Sequence, residues 1–335
     1  METYAEFLKH KQIRAESSGF SESRDNICPA AFEWQKDVIL WALRKGKCAL
    51  FQDCGLGKTL EQLAWAERVH MHTGKPVLIL AHLAVVGQTV KEANYEMAER
   101  FDFSALGGIV LDESSILKNF TGKTRKFLVD ACKAVPYRLC CTATPSPNDY
   151  TELGNHAEFL GVMSRTEMLS TFFVHDGGNT SSWRLKGHAS SAFFAWVASW
   201  ACCMTSPADL GYDSTGYTLP PLRVHECVVP SGGIEDDDGQ IMLFAKTTQT
   251  LSQRRDARRR SLEARCAEAA KIANSEDDQC LLWCDLNSES ETLAKMTERC
   301  VEVKGSDSDM DKAGRMQAFS EGSVKCLVSK PSIAG

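Results

Sequence analysis

Asp53-Cys54-Gly55-Leu56-Gly57-Lys58-Thr59 follows the apolar run Cys48–Gln52 and leads into the helical pattern Leu60-Glu61-Gln62-Leu63. An apolar strand, a glycine turn and a helix start make a loop whose amides can close on an anion. In such a loop Gly55 and Gly57 let the backbone N–H groups approach, and Lys58 neutralises phosphate charge. The Thr59 hydroxyl is placed to ligate Mg²⁺. The full phosphate-loop pattern has a glycine where this chain has Gln52, so only the Gly-x-Gly-Lys-Thr half is present. Two further segments extend the reading. Gly108-Ile109-Val110-Leu111 ends in Asp112-Glu113-Ser114-Ser115, and Tyr137 to Cys141 ends in Thr142-Ala143-Thr144-Pro145.

Both follow short apolar runs of the kind that form central strands, so both should emerge at the carboxyl edge of one parallel sheet. Asp112 can then hold a metal, while Glu113 orients or deprotonates an attacking water. Taken singly, Asp112-Glu113 reads as a solvated turn, and Thr142 and Thr144 as strand-end polar residues. Their order along one chain instead points to a nucleoside triphosphatase.

These residues carry a resemblance to superfamily-two helicases of the Swi/Snf-like branch, and most closely to those of bacteriophages and prophages. Glu33-Trp34-Gln35-Lys36 before an apolar helix resembles the glutamine motif, which implies Gln35 as an adenine ligand. Asp112–Ser115 resembles the acidic box, with Ser115 where many relatives carry histidine, and Leu117-Lys118-Asn119 is typical of this branch. Thr142–Pro145, with Asn148 and Glu152-Leu153, resembles the third motif, which couples nucleotide state to nucleic-acid grip. Leu281–Asn287, Val303–Ser306 and Ser329–Gly335 resemble segments of the second motor domain. The resemblance implies an α/β fold of tandem RecA-like doubly wound parallel sheets, the second incomplete. It implies ATP and Mg²⁺ as cofactors, with Lys58 and Glu113 catalytic. Gly55, Gly57, Lys58 and Thr59 would bind nucleotide, Thr59 and Asp112 the metal, and Thr142 and Thr144 would couple. In relatives the cycle closes two domains around a duplex.

Two departures shape the expectation for this chain. Only about 30 residues separate the Val77–Ala81 run from the acidic box, and Ala93-Asn94-Tyr95-Glu96 reads as a join across missing sequence. The chain stops within the fifth motif, so the sixth motif and its arginines are expected to be absent, and hydrolysis to be weak. Two readings from other classes stay open. One is a non-catalytic ATP- and DNA-binding module left by truncation. The other is a phosphate-loop kinase, which needs an acceptor pocket and no Thr-Ala-Thr-Pro segment.

Along the chain, residues 1–26 read as a helix (Tyr4 to Ala15) and a loop, and 27–162 as the ATP-binding domain. Residues 163–273 read as a helical insertion and basic linker, and 274–335 as a partial second domain. Strands are expected at Cys48–Gln52, Val77–Ala81, Gly108–Leu111 and Arg138–Thr142. Phe193, Phe194, Trp196, Val197 and Trp200 share a helix face that suits core packing better than base stacking. Glu235-Asp236-Asp237-Asp238 reads as an exposed loop.

The formal charge of −6 argues against nucleic-acid binding over the whole surface, but not against a local basic track. The candidate is Arg254, Arg255, Arg258, Arg259 and Arg260, in which the i,i+4 pairs Arg254/Arg258 and Arg255/Arg259 make a cationic helix face. It reads either as a phosphate contact, most simply to double-stranded DNA, or as a solvated linker. The 43% hydrophobic content suffices for about two cored domains. The 14 cysteines lack any Cys-x-x-Cys pair and lie in apolar segments, as reduced thiols of a cytoplasmic chain would. No apolar stretch reaches the ~20 residues of a membrane span, and Glu2 and Glu6 do not suit a signal peptide.

Overall fold

Alternate residues of one short strand set the architecture. Lys47–Gln52 (β1) is buried along almost its whole length, yet its side chains divide by parity. Cys48 and Leu50 join one apolar cluster, and Ala49 and Phe51 join another. A strand buried on both faces reads as a continuous apolar run, and its alternate side chains feed two separate layers. The computed structural model describes residues 13–81, 92–119, 121–176, 179–229, 234–235, 241–242, 258–259 and 261–334. They form two compact units, Met1–Pro220 and Pro221–Gly335.

In the first unit Glu33–Lys45 (α1) precedes β1 and Lys58–Thr73 (α2) follows it. Next come Val77–Ala81 (β2), Glu92–Asn94 (β3), Gly108–Asp112 (β4), Lys123–Ala131 (α3) and Tyr137–Thr142 (β5). Leu153–Leu160 (α4) and Arg165–Phe172 (α5) lead to a hairpin of Phe173–Asp176 (β6) and Asn179–Leu185 (β7). Ser190–Ala198 (α6) and Ala201–Met204 (β8) complete the sheet. Its order is β3-β2-β4-β5-β1-β8, and every pairing is parallel. This is the α/β, doubly wound arrangement expected from the sequence. Trp34, Val38, Ile39, Ala42 and Leu43 of α1 and Ala64, Trp65, Ala66 and Val69 of α2 cover one face. Residues of α3 to α6 cover the other, including Leu128, Phe159, Met168, Phe172, Phe193 and Trp196.

The four expected strands form, each within one residue of its expected ends. Glu92–Asn94, which overlaps the Ala93–Glu96 stretch, is a strand outside those expected; it pairs in register with Ile79–Ala81 as an edge strand. Ala201–Met204 is another, pairing with Ala49–Gln52 inside a region read as loops around a helix. On α6, Phe193, Trp196 and Val197 are buried, as is Trp200 just after it, whereas Phe194 is 44% exposed and packs edge-on against Tyr150. The expected Tyr4–Ala15 helix lies mostly outside the described residues, and Ile13 and Arg14 are not helical.

The second unit holds a short antiparallel pair, Ile234–Glu235 (β9) with Ile241–Met242 (β10). It continues with Leu262–Ser275 (α7), Cys280–Trp283 (β11), Asn287–Met296 (α8), Cys300–Val303 (β12), Asp309–Ser320 (α9) and Cys326–Ser329 (β13). The three strands form a parallel sheet in the order β11-β13-β12. Asp236, Asp237 and Asp238 lie outside the described residues. All 14 cysteines are free thiols. No described helix is long and apolar enough to cross a membrane.

Candidate nucleotide site

Strand register brings the three sequence segments to one edge. Phe51 of β1 is in register with Thr142 of β5, and Cys141 of β5 with Asp112 of β4. Since β5 lies between β4 and β1, the loop after β1, the acidic pair and the threonine segment leave the sheet side by side. This carboxyl edge is where parallel α/β sheets receive ligands.

The loop is built to admit an anion. Gly55 and Gly57 have φ of +82° and +76°, which L side chains rarely adopt. A Cβ on Gly57 would also lie 2.7 Å from Gln35 Nε2. Gly57 caps α2 with no side-chain hydrogen bond, so the helix's first amides keep their capacity for an anion. Lys58 Nζ donates to the carbonyls of Gln52 and Asp53 at 3.0 and 3.1 Å. Its charge is therefore held by neutral acceptors of the loop itself, which a phosphate can displace. Thr59 is exposed at the same turn.

Opposite lies the acidic pair. Asp112 is 7% exposed, and its Oδ1 accepts from Gln62 Nε2 at 2.7 Å. Its carbonyl accepts from the buried Tyr95 hydroxyl at 2.6 Å. Glu113 has left-handed backbone, φ 48° and ψ 54°, an uncommon state for a glutamate. Its Oε2 accepts from Thr142 Oγ1 at 3.1 Å, and Thr142 Oγ1 accepts in turn from the Thr144 amide at 3.0 Å. Thr142 is fully buried and Thr144 exposed, so the threonine pair links the acidic turn to the surface.

The donor set fits a nucleotide with one hard cation. Among the described residues no three His, Cys, Asp or Glu side chains gather as a metal cage. Mg²⁺ seldom uses such a cage. It is usually held by one or two carboxylates together with substrate phosphates, and Asp112 with Thr59 suits that role. Gln35 stands differently from a side chain free to read a base. It is 3% exposed, its Nε2 donates to the Leu56 carbonyl at 3.1 Å, and its Oε1 accepts from the Phe32 amide at 2.9 Å. It braces the phosphate loop, and an amide so bonded keeps one N–H and one lone pair for a base.

Several groups at this edge gave no signal in the sequence. Glu61, one turn into α2, is fully buried, and burial pushes its pKa to about 8 against the pull of Gln52 and Lys58. Gln62, Tyr95 and His156 also come from outside any recognisable motif. Only the helix period, which puts Gln62 near the start of the helix carrying Lys58, could have suggested one of them.

Only part of the basic segment of the second unit falls among the described residues. Arg254 and Arg255 lie outside the described residues. Arg258 forms an ion pair with Asp285 beyond the end of β11, so its charge is matched within the unit, and Arg259 is exposed. Arg258 and Arg259 are helical, ahead of the separate helix α7 that begins at Leu262.

No protein-family model matches the sequence, and a search of curated proteins finds no match. Among solved structures the chain is similar to a Sulfolobus solfataricus SWI2/SNF2 ATPase core in complex with double-stranded DNA. That pair shares 17% identity over 91% of this chain and 79% of the other, with a TM-score of 0.47. The UvsW helicase from bacteriophage T4 shares 13% identity over 48% and 66%, with a TM-score of 0.34. Mycobacterium smegmatis helicase Lhr bound to single-stranded DNA and AMP-PNP shares 14% identity over 91% and 40%, with a TM-score of 0.44. The architecture above rests on the sheets and their register.

Proposed function

We propose that this chain binds ATP at the carboxyl edge of its first sheet, hydrolyses it, and uses the cycle on nucleic acid as a DNA helicase or translocase of superfamily two. The observation that carries the reading is the meeting of the phosphate loop, the acidic pair and the threonine segment at one edge, tied by the Thr142–Glu113 hydrogen bond. In this reading the amides of Gly55 to Thr59 take the phosphates, and Lys58 leaves the loop carbonyls for the β/γ oxygens. Mg²⁺, held by Thr59 and Asp112, would neutralise charge gathering on the transferred group. Glu113 orients the attacking water and takes its proton, and Thr142 and Thr144 pass the altered state of Glu113 outward. Arg254, Arg255, Arg258 and Arg259 are assigned to DNA phosphate contact, for which Arg258 would have to exchange its ion pair with Asp285.

Binding of a fluorescent ATP analogue and phosphate release, each with and without duplex DNA, test the reading. Lys58→Ala should weaken nucleotide binding by about 10- to 100-fold, the worth of one charged hydrogen-bonding group. Glu113→Gln should bind as wild type but turn over about 10²- to 10⁴-fold more slowly. Equal affinity in wild type and Lys58→Ala removes the phosphate-loop assignment. Release that needs a small acceptor supports a kinase instead, and binding without release supports a non-catalytic module.

A further inference from the structure

Helix α4 begins eight residues after Pro145 and places two polar side chains in the interior. His156 is fully buried and Asn155 is 1% exposed. His156 Nε2 lies 3.2 Å from Ser114 Oγ, and Ser114, next to Glu113, is itself fully buried. Asn155 Nδ2 donates to the Lys118 carbonyl at 3.1 Å. The two contacts grip both ends of the short helical turn Ser114–Lys118 that follows the acidic pair. The His156 ring also meets Phe51 edge-on at 5.2 Å between centroids, one residue before Gln52 and two before the phosphate loop. One imidazole therefore touches the strand that launches the phosphate loop and the turn that carries Glu113, from a helix joined to the threonine segment.

A buried polar group this costly to desolvate is retained where it is bonded, and its loss leaves its partner unmatched. Glu113 needs such support. Its left-handed backbone persists only where the surroundings over-determine it, and Ser114 is the next residue. We propose that His156, assisted by Asn155, is a positioning residue that holds the Glu113 turn in its strained form, making α4 a second link between the threonine segment and the acidic pair. The first link is the Thr142–Glu113 bond. This inference rests on the nucleotide-site reading above and adds a residue to it that contacts neither phosphate nor water.

The test compares His156→Ala, His156→Gln and Ser114→Ala with wild type. His156→Gln keeps a side chain of similar reach that can either donate to or accept from Ser114, and Ser114→Ala removes the contact from the other side with little change in volume. For His156→Ala, kcat for ATP should fall about 10- to 100-fold with nucleotide affinity unchanged, as expected when a reacting group is misplaced by a fraction of an ångström to an ångström. His156→Gln should recover a good part of that loss. The double variant His156→Ala/Ser114→Ala should be no slower than the worse single variant, because both remove one contact. An unchanged kcat, a fall in affinity alone, or additive losses would each overturn the proposal.

Hydrogen exchange supplies a readout that needs no turnover. Amides of residues 113–119 should exchange about tenfold faster in Ser114→Ala and His156→Ala, while those of β1 stay protected. Unchanged exchange at 113–119 overturns the clamp even in an active enzyme. If wild type binds no ATP, the nucleotide reading fails separately, and exchange alone decides whether the clamp exists.

Discussion

His156 holds an ionisable ring where burial pushes its pKa down to about 4, against the weaker opposing pull of the Glu152 and Ser114 backbone. An unfolded histidine titrates near 6.5, so the sign of the linkage follows. Above that pH the ring is neutral in both states and its full contribution to stability is present. As pH falls from about 6.5 towards 4, the unfolded chain takes up a proton that the folded chain refuses, and stability is lost. The loss amounts to about 3 kcal/mol once pH is below the folded value. Denaturant unfolding of wild type and His156→Gln across pH 7 to 4 should therefore diverge by about that amount, wild type losing more. Parallel profiles would mean that the ring is reached by water. Lys58 shows the opposite arrangement: its cation stays charged near the surface, resting on two carbonyls.

At the scale of elements, α6 separates a core role from a surface one within two adjacent residues. Phe193 is fully buried among Phe172, Phe173 and Trp196, whereas Phe194 is half exposed beside Tyr150. Phe193→Ala should cost about 3–5 kcal/mol and Phe194→Ala less than about 1, measured by urea unfolding. Equal costs would contradict the assignment of the helix face. The strands that were legible in the sequence share one property: each is a run buried on both sides, so its composition alone announces it. Glu92–Asn94 and Ala201–Met204 lie at the two edges of the sheet. Their strand character comes from partners over a dozen or far more residues away, and a three- or four-residue window carries little of that. The site divides in the same way. Gly57, Lys58, Asp112, Glu113 and Thr142 sit in contiguous motifs set by strand ends. Gln62 on Asp112, Tyr95 on its carbonyl and His156 on Ser114 meet only through tertiary packing.

The molecule as a whole consists of two units that meet in sequence at Pro220-Pro221. Around that point the chain has no regular secondary structure from Asp213 to Val229 apart from a turn at Thr215-Gly216. Leu219, Leu222, Val224 and Val228 are 76–89% exposed, so the backbone there is open to a protease active site. Limited trypsin digestion of the folded protein should cut first at Arg223, giving fragments that end and begin beside the unit boundary by mass spectrometry. First cleavage within α1, α2 or α7, where basic residues also abound, would contradict the division into two units.

The left-handed glutamate has a meaning for how such a chain can drift. A residue with a Cβ at Glu113 burdens the fold by about 1–2 kcal/mol relative to glycine there. Glu113→Gly relieves that strain but forfeits the Thr142 hydrogen bond, so the melting temperature should change little. On the role proposed for the carboxylate, phosphate release should be lost. Backbone ease and the proposed chemistry therefore favour different residues at this one position, which is where drift would first show once that chemistry no longer mattered.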